Sequence, residues 1–472
     1  MAITEARRET PSADKRAAQI ARQLEDEIIA SGWPVGDVLG SETELQERFE
    51  VSRSVLREAI RLLEHHQVGR MRRGPNGGLF VAAPDAGPAT RALVIYLEYV
   101  GTSVEHLLQA RLLLEPLAAR LAAGAVTEEG ISRLREIVAI ERERWDDWDL
   151  RPDDNLTVVL GRLSGNVVLQ LFVEVLIRLS YRYVLPSRRA RKEQREAVMS
   201  MAHARHIEIA EAVIAGDAAT AETRLTGLLE ETSNWLKPDQ LRQTALGSPD
   251  PAVGAGRKLA EVVAERIHED IAAAGWRVGE VFGSESDLLE RYKVSRAVLR
   301  EAVRLLEHHS VARMRRGPGG GLVVHTPDPT ASIHTVALYL DHEGLSPNDL
   351  RVVREAIELG CIHVVTAGGA SPETGERLRT ALERAVERGD SGDVFHNELA
   401  DLAGNPVLSL FLRIVTELWS RHSRTQRPPT PAVGDEVRRV HEKILEAVVA
   451  GDDGLAQHRM RRHLQALTAW WH

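Results

Sequence analysis

The stretch GWPVGDVLGSETELQERFEVSRSVLREAIRLLEHHQVGRMRRGPNGGLFV, residues Gly32 to Val81, returns as GWRVGEVFGSESDLLERYKVSRAVLREAVRLLEHHSVARMRRGPGGGLVV, residues Gly275 to Val324. The offset is 243 positions without a gap, and 36 of 50 residues are identical. A first helix is expected from Lys15 to Ala30, where Ile20, Leu24, Ile28 and Ile29 recur at helical spacing before Gly32. Ser41 with Glu44 forms a capping-box pattern that opens a second helix, running to Phe49. Ser52 caps a third, from Arg53 to His66, and Val68 to Val81 reads as two short strands around a Gly74-Pro75 turn. Helix, helix, tight turn, helix and a two-stranded ribbon make a winged helix-turn-helix, a module that reads DNA. The chain carries it twice.

At 472 residues the chain is long enough for roughly three or four domains. No run of about 18 apolar residues is present, so no membrane span is expected. The opening MAITEARRETPSADKR lacks an apolar signal core, which implies a cytoplasmic protein. Cys361 is the lone cysteine; it has no internal disulfide partner and reads as a small buried apolar residue. The net charge of -9 argues against a nucleic-acid partner only until its distribution is considered. Residues 51–75 hold six arginines against Glu58 and Glu64, and residues 294–318 repeat that excess. Because screening removes charges more than about 8–10 Å away, the local stripe decides phosphate attraction.

The expected fold class is mainly α. Two winged helix-turn-helix domains, each with a small β-wing, span 15–84 and 257–327, and two antiparallel all-helical bundles span 88–236 and 331–472. Residues 237–256 form a Pro/Gly/Ala/Ser-rich linker, with a reach on the order of 25 Å. Both bundles contain a Gly-Asn before an apolar run (Gly165-Asn166, Gly404-Asn405) and an Ala-Gly-Asp turn (Gly216-Asp217, Gly451-Asp452).

On the third helix Arg53, Arg57 and Arg61 fall at i, i+4 and i+8, opposite a core stripe of Leu56, Ile60 and Leu63. The planar guanidinium fork matches guanine O6/N7 and also phosphate oxygens. Ser52 and Ser54 are candidate phosphate donors, and Arg72, Arg73 and Gly74 are candidate wing contacts. The second set is Ser295, Arg296, Arg300, Arg315, Arg316 and Gly317. A merely solvated arginine-rich helix is the bland alternative, weakened because all six arginines persist in both copies while neighbours have changed. Arg61 and Arg304 are the pair closest to that alternative.

In the second bundle His441 and His463 stand ten residues before and twelve after Gly451, so an antiparallel helix pair would bring them level. With His396 they would offer three imidazoles to a divalent metal, and Asp393 one turn earlier would add an oxygen.

These residues resemble the GntR family of bacterial transcription regulators. Its pattern is matched by Leu39-Gly-Ser-Glu-Thr-Glu-Leu45, Val51-Ser-Arg-Ser-Val-Leu-Arg-Glu-Ala59 and Gly74-Pro-Asn-Gly77. Thr43 and Ser286 depart from it, standing where the family usually carries a further DNA-contacting arginine. The helical regions resemble the FCD effector domain of the FadR subfamily through Leu350, Arg354, Glu358, Phe395-His396, Gly404-Asn405-Pro406, His441 and Arg462-His463-Leu464. That resemblance implies a metal held by Asp393, His396, His441 and His463, although the family aspartate usually stands where this chain has Gly392. It also implies a small carboxylate effector bound by Arg354 and Asn405. The first copy keeps Arg111, Glu115 and His206 but has Thr157 and Leu228 at the other histidine positions, leaving Asp153 little to cooperate with. One zinc-like ion per chain is therefore expected.

The resulting expectation is a ligand-responsive regulator, a repressor, whose halves form an intramolecular pseudo-dimer on double-stranded operator DNA. Its arginines would enter successive major grooves about 34 Å apart. A metal-dependent enzyme built on the histidines, an architectural binder without effector, and a further homodimer remain open alternatives.

Overall fold

The computed structural model describes residues 13–74, 77–143, 154–184, 192–235, 259–315, 317, 319–327, 329–369, 371–388, 393–425 and 431–469. Two compact units emerge, one of residues 1–89 with 335–344 and one of residues 90–334 with 345–472.

In the first unit the helices α1 (Ala13–Ala30), α2 (Glu42–Phe49) and α3 (Arg53–His65) enclose one apolar core. The Ser41 hydroxyl accepts from Glu44 N at 3.2 Å while Ser41 N donates to the Glu44 carboxylate at 2.8 Å, so both caps close on each other. Glu50 adopts the left-handed conformation (φ 51°) and ends α2, and Ser52 caps α3 by accepting from Val55 N at 3.4 Å. Ile20, Leu24, Ile28, Leu45, Leu56, Leu63 and Leu79 are all buried there. The wing differs from the two-stranded ribbon expected. Strands β1 (Val38–Gly40), β2 (Gly69–Arg72) and β3 (Gly78–Val81) form a three-stranded antiparallel sheet in the order β1-β3-β2. A Cβ on Gly78 would sit 2.9 Å from the Gly40 carbonyl oxygen, so glycine is what lets β3 close against β1.

The second unit repeats this head as α11 (Leu259–Ala273), β4 (Val281–Gly283), α12 (Glu285–Tyr292), α13 (Arg296–His308), β5 (Ala312–Arg315) and β6 (Gly321–Val324). Each head also takes in a helix from the opposite half. Leu338 of α14 (Pro329–His342) is buried in the core of the first head, where the Trp33 and His342 rings meet edge to face at 5.3 Å. Ile95 of α4 (Ala86–Tyr99) is buried in the core of the second head, where Tyr99 and Trp276 meet at 5.3 Å. Ile95 and Leu338, Tyr99 and His342, and Trp33 and Trp276 are each 243 positions apart, so one contact is made twice.

The first bundle comprises α5 (Val104–Ala125), α6 (Glu128–Glu143), α7 (Leu156–Leu163), α8 (Val167–Val184), α9 (Lys192–Ile214) and α10 (Ala218–Trp235). The second comprises α15 (Pro347–Ala367), α16 (Pro372–Arg388), α17 (Asp393–Leu402), α18 (Pro406–Thr425), α19 (Pro431–Val449) and α20 (Asp453–Ala469). They meet where α5 and α8 face α15 and α18. Phe172 and Phe411 stack with centroids 3.9 Å apart and planes 9° apart. Asn166 Nδ2 donates to Asp349 O at 3.1 Å, and its counterpart Asn405 Nδ2 donates to His106 O at 2.9 Å. Each contact recurs with the bundles exchanged, as in a two-fold interface between subunits. A Cβ on Gly360 would lie 2.4 Å from Leu113 Cδ1, and the positions related to that pair are Leu117 and Ala356, with large and small exchanged. Cys361 is buried beside this contact, as a small apolar residue would be. Among the described residues no helix is long and apolar enough to cross a membrane.

The stacked ring pair gives a direct check. Changing Phe172 and Phe411 to leucine singly and together, with urea unfolding of each protein, should show the double variant destabilised by about 0.5–1.5 kcal/mol less than the sum of the single effects. Strict additivity would mean that the rings do not support each other.

Candidate nucleic-acid interface and metal centre

Capping by Ser52 starts α3 with Ser52, Arg53, Ser54 and Arg57 all exposed, while Leu56, Ile60 and Leu63 are buried. The expected reading edge is therefore outward. Its arginines are not loose. Arg53 Nε and Nη2 donate to the two carboxylate oxygens of Glu42 at 3.0 and 3.3 Å, and Arg57 Nε donates to Glu42 Oε1 at 2.8 Å. Hydrogen bonding from Arg53, then from Arg57, holds the Glu42 carboxyl below its ordinary range. Glu42 was not foreseen as a functional residue, although the Ser-Glu pair that opens α2 recurs in both copies and was the available signal. In the second head Ser295 caps α13, Arg296 and Arg300 are exposed, and Arg300 Nε lies 3.6 Å from Glu285. Arg61 pairs with Glu58 at 3.0 Å, as an ordinary solvated charge does.

At the wing the Arg72 guanidinium lies over the Phe80 ring at 4.3 Å, and Arg73 is exposed. Gly74 and Gly317 take φ values of 121° and 99°, a region that favours glycine, so the tip can turn beside a duplex. Arg315 Nη2 donates to Gly319 O at 3.0 Å; Arg316 lies outside the described residues. Thr43 and Ser286, where a further arginine was missed, are both exposed.

The second bundle brings His396 from α17, His441 from α19 and His463 from α20 together, with one ligand nitrogen of each within 4.8 Å of the others. All three are buried. His441 Nε2 and His463 Nε2 are 2.9 Å apart. His396 Nδ1 bonds Glu358 Oε2 at 2.5 Å, and His396 Nε2 is buried with no partner. With Nδ1 donating to the carboxylate, Nε2 carries the lone pair, the carboxylate-oriented form in which histidine ligates metals. Glu358 in turn accepts from Arg354 Nε at 2.6 Å. Burial pushes all three imidazoles well below their ordinary range, which keeps them neutral, and pushes Glu358 up. Three buried neutral nitrogens with one unpartnered lone pair fit a zinc-like ion.

Two of the expected partners are placed elsewhere. Asp393 is not grouped with the histidines; its Oδ2 accepts from Ser420 at 2.5 Å and its Oδ1 lies 3.7 Å from Arg354 Nη2. Asn405, expected at the effector, instead caps α18 through Val407 N at 3.0 Å and links the bundles through His106 O and Gln109 Oε1. Its amide oxygen and nitrogen both have partners there. Arg354 is 1% exposed, lies 5.6 Å from the Trp419 ring centroid, and keeps Nη1 buried without a partner.

The first bundle carries other side chains at the equivalent positions. Thr157 is buried, and Leu228 is packed among Leu225, Leu229 and Val213. His206 Nδ1 bonds Glu141 at 2.9 Å, and Arg111 donates twice to Glu115 at 2.6 and 3.1 Å. Asp153 lies outside the described residues. No group of three metal-competent side chains occurs in this bundle among the described residues.

The relatives and solved structures named here each match less than half of the chain. The Uxu operon regulator of Haemophilus influenzae is 31% identical over 32% of this chain, and the match spans 55% of that relative. The HTH-type transcriptional regulator LutR of Bacillus subtilis is 28% identical over 39% of this chain and 89% of its own length. A solved structure, Streptococcus agalactiae GntR, aligns with 46% of this chain and 99% of its own at 22% identity, with a TM-score of 0.33. The FCD domain matches residues 106–231 and 349–466, and the bacterial regulatory proteins of the gntR family match residues 16–81 and 259–322. With both matches doubled along one polypeptide, the chain belongs to the GntR family of bacterial regulatory proteins, in its FCD-bearing form.

Proposed function

We propose that this transcription regulator sets its two heads on the two half-sites of one double-stranded operator, and that a small carboxylate with a divalent metal in the second bundle alters that grip. The observation that carries the reading is the repeated Ser-Arg-x-x-x-Arg edge of α3 and α13, present in both heads with its serine and both arginines exposed. Serine and backbone groups at the helix starts suit phosphates, and the arginine forks suit guanine edges. Joining the heads in one chain raises their effective concentration to about the millimolar range, so operator binding needs no association of chains.

For sensing, His396, His441 and His463 would hold the metal, and Arg354 Nη1 offers the buried cation for a carboxylate. When bound, the metal supplies a Lewis-acid anchor for an acid oxygen. Glu358 orients both parts, bonding His396 through one oxygen and Arg354 through the other. A carboxylate reaching Arg354 would satisfy a guanidinium nitrogen that burial otherwise leaves unpaired. The relatives named above are regulators, which favours sensing over catalysis.

Replacing Arg53 and Arg57 together with alanine, or Arg296 and Arg300 together, should each cost about 1–3 kcal/mol per bidentate base contact, read by footprinting on a selected operator. Normal footprints from both double variants would refute the reading helices.

Glu42→Gln removes the carboxylate that holds two arginines. Binding to random duplex should tighten, because a negative charge is lost, while the ratio of operator to random affinity should fall. An unchanged ratio in a fluorescence titration would remove the positioning role.

Metal analysis of the purified chain should find about one ion, lost in His463→Ala; two ions per chain would overturn the asymmetry between bundles.

A further inference from the structure

The two bundles differ in what they are able to bind, and the two heads differ in which bundle they are wired to. α14 carries Leu338 in the core of the first head and His342 against Trp33. It then turns at Gly344 (φ 73°) and enters α15, the helix of Arg354 and Glu358. Arg354 lies seven residues beyond Pro347, ~10 Å along α15 at 1.5 Å per residue. α4 carries Ile95 in the core of the second head, with Tyr99 against Trp276 and Glu98 3.4 Å from His268. It turns at Gly101 (φ 73°) and enters α5, whose Arg111 and Glu115 are bonded to each other beside Thr157 and Leu228. So the N-terminal head rests on the helix that leads into the histidine-bearing bundle. The C-terminal head rests on the helix that leads into the bundle that has lost two of its three histidines.

We infer that occupancy of the second bundle acts on the N-terminal head through α14, while the C-terminal head is the unswitched anchor. The inference rests on the sensing role proposed above for His396, His441, His463 and Arg354. The path is short and largely covalent. His396 is bonded to Glu358 and Glu358 to Arg354, both of which stand on α15, so a change at His396 would be passed to that helix. α15 follows α14 after a turn of only four residues, 343–346. The second head is joined to α14 through residues 325–328, but among the described residues its core cluster takes in no α14 side chain and draws on Ile95 of α4 instead. A shift of α14 is thus carried by core packing into the first head and only by a connecting segment into the second. Freeing one head of a tethered pair removes the gain from linkage, which is on the order of 10²–10⁴-fold in avidity, and leaves the anchor on its half-site. Release of the operator would then be a loosening of one side, not detachment of both.

Hydrogen exchange on the full chain, with zinc alone as the probe against a chelated control, tests this. Zinc should slow exchange around His396, His441 and His463 and change exchange in residues 329–342 and in α1. Residues 86–99 and α11 should be unchanged. In Leu338→Ala the histidine segments should still respond while α1 does not. The equivalent Ile95→Ala should leave the whole zinc response intact. His342→Ala, at a partly exposed end of the same contact, should weaken the response of α1 if Leu338→Ala proves too unstable to compare. In His463→Ala every zinc effect should vanish.

Equal changes in both heads, changes confined to 86–99 and α11, or a response of α1 that survives in His463→Ala would each overturn the inference. Protection at the histidines with neither head responding would also overturn it, while leaving the sensing role standing. Absence of any protection at the histidines would remove the sensing role itself, and the inference with it.

Discussion

Asn166 and Asn405 sit buried at the starts of α8 and α18, and each gives its amide to a backbone carbonyl of the opposite bundle. An unpaired buried amide costs about 1–3 kcal/mol, so neither bundle is complete without the other. The Phe172–Phe411 stack lies in the same contact and adds an apolar element that is likewise shared. This mutual satisfaction is the usual constraint on a symmetric dimer. Here it operates within one chain, and the arrangement of the connecting helices follows the same exchange, each head closing its core with an apolar residue from the other half.

Covalent duplication changes what such an interface permits. In a homodimer any substitution appears on both sides of the axis, whereas here each side can change alone. Leu113 opposite Gly360 shows it, since the related positions carry Ala356 and Leu117. The ligand sites show it more strongly. Leu228, at the position of His463, is part of an apolar core, and Arg111 bonds Glu115 through two nitrogens. The first bundle has become a partner for the second while keeping the surface that the second requires.

Much of this was legible in the residues. Capping serines, the apolar stripe of α3 and the repeated arginines are local signals, and the heads folded as those signals demanded. The approach of His441 to His463 also followed from spacing about the Gly451 turn, whereas His396 comes from a helix that this spacing does not place. What was not legible depended on distant partners. β1 is three residues long, too short for an alternation to register, and it becomes a strand only because Gly78 lets β3 approach. Ile95 and Leu338 read as ordinary helical apolar residues, and nothing local says which head they enter. Asn405 carried a family mark, but its hydrogen bonds are decided by His106 and Gln109, nearly three hundred residues away. Asp393 was close in sequence to His396, yet Ser420 and Arg354 set its direction.

The second bundle retains a feature that packing alone does not favour. His396 Nε2 and Arg354 Nη1 are both buried without hydrogen-bond partners, whereas the corresponding arginine of the first bundle is paired through two nitrogens. Each orphaned polar atom lowers stability by about 1–3 kcal/mol, and a sequence free to drift would remove it, as the first bundle has. A lone pair and a guanidinium nitrogen are complementary to different things, a cation and an anion. Both are aimed from groups bridged by the one carboxylate of Glu358. A metal with a carboxylate, as proposed above, would satisfy both at once. Under the sensing role proposed above, a ligand reaching both atoms would offset that cost, which is the differential stability a switch requires.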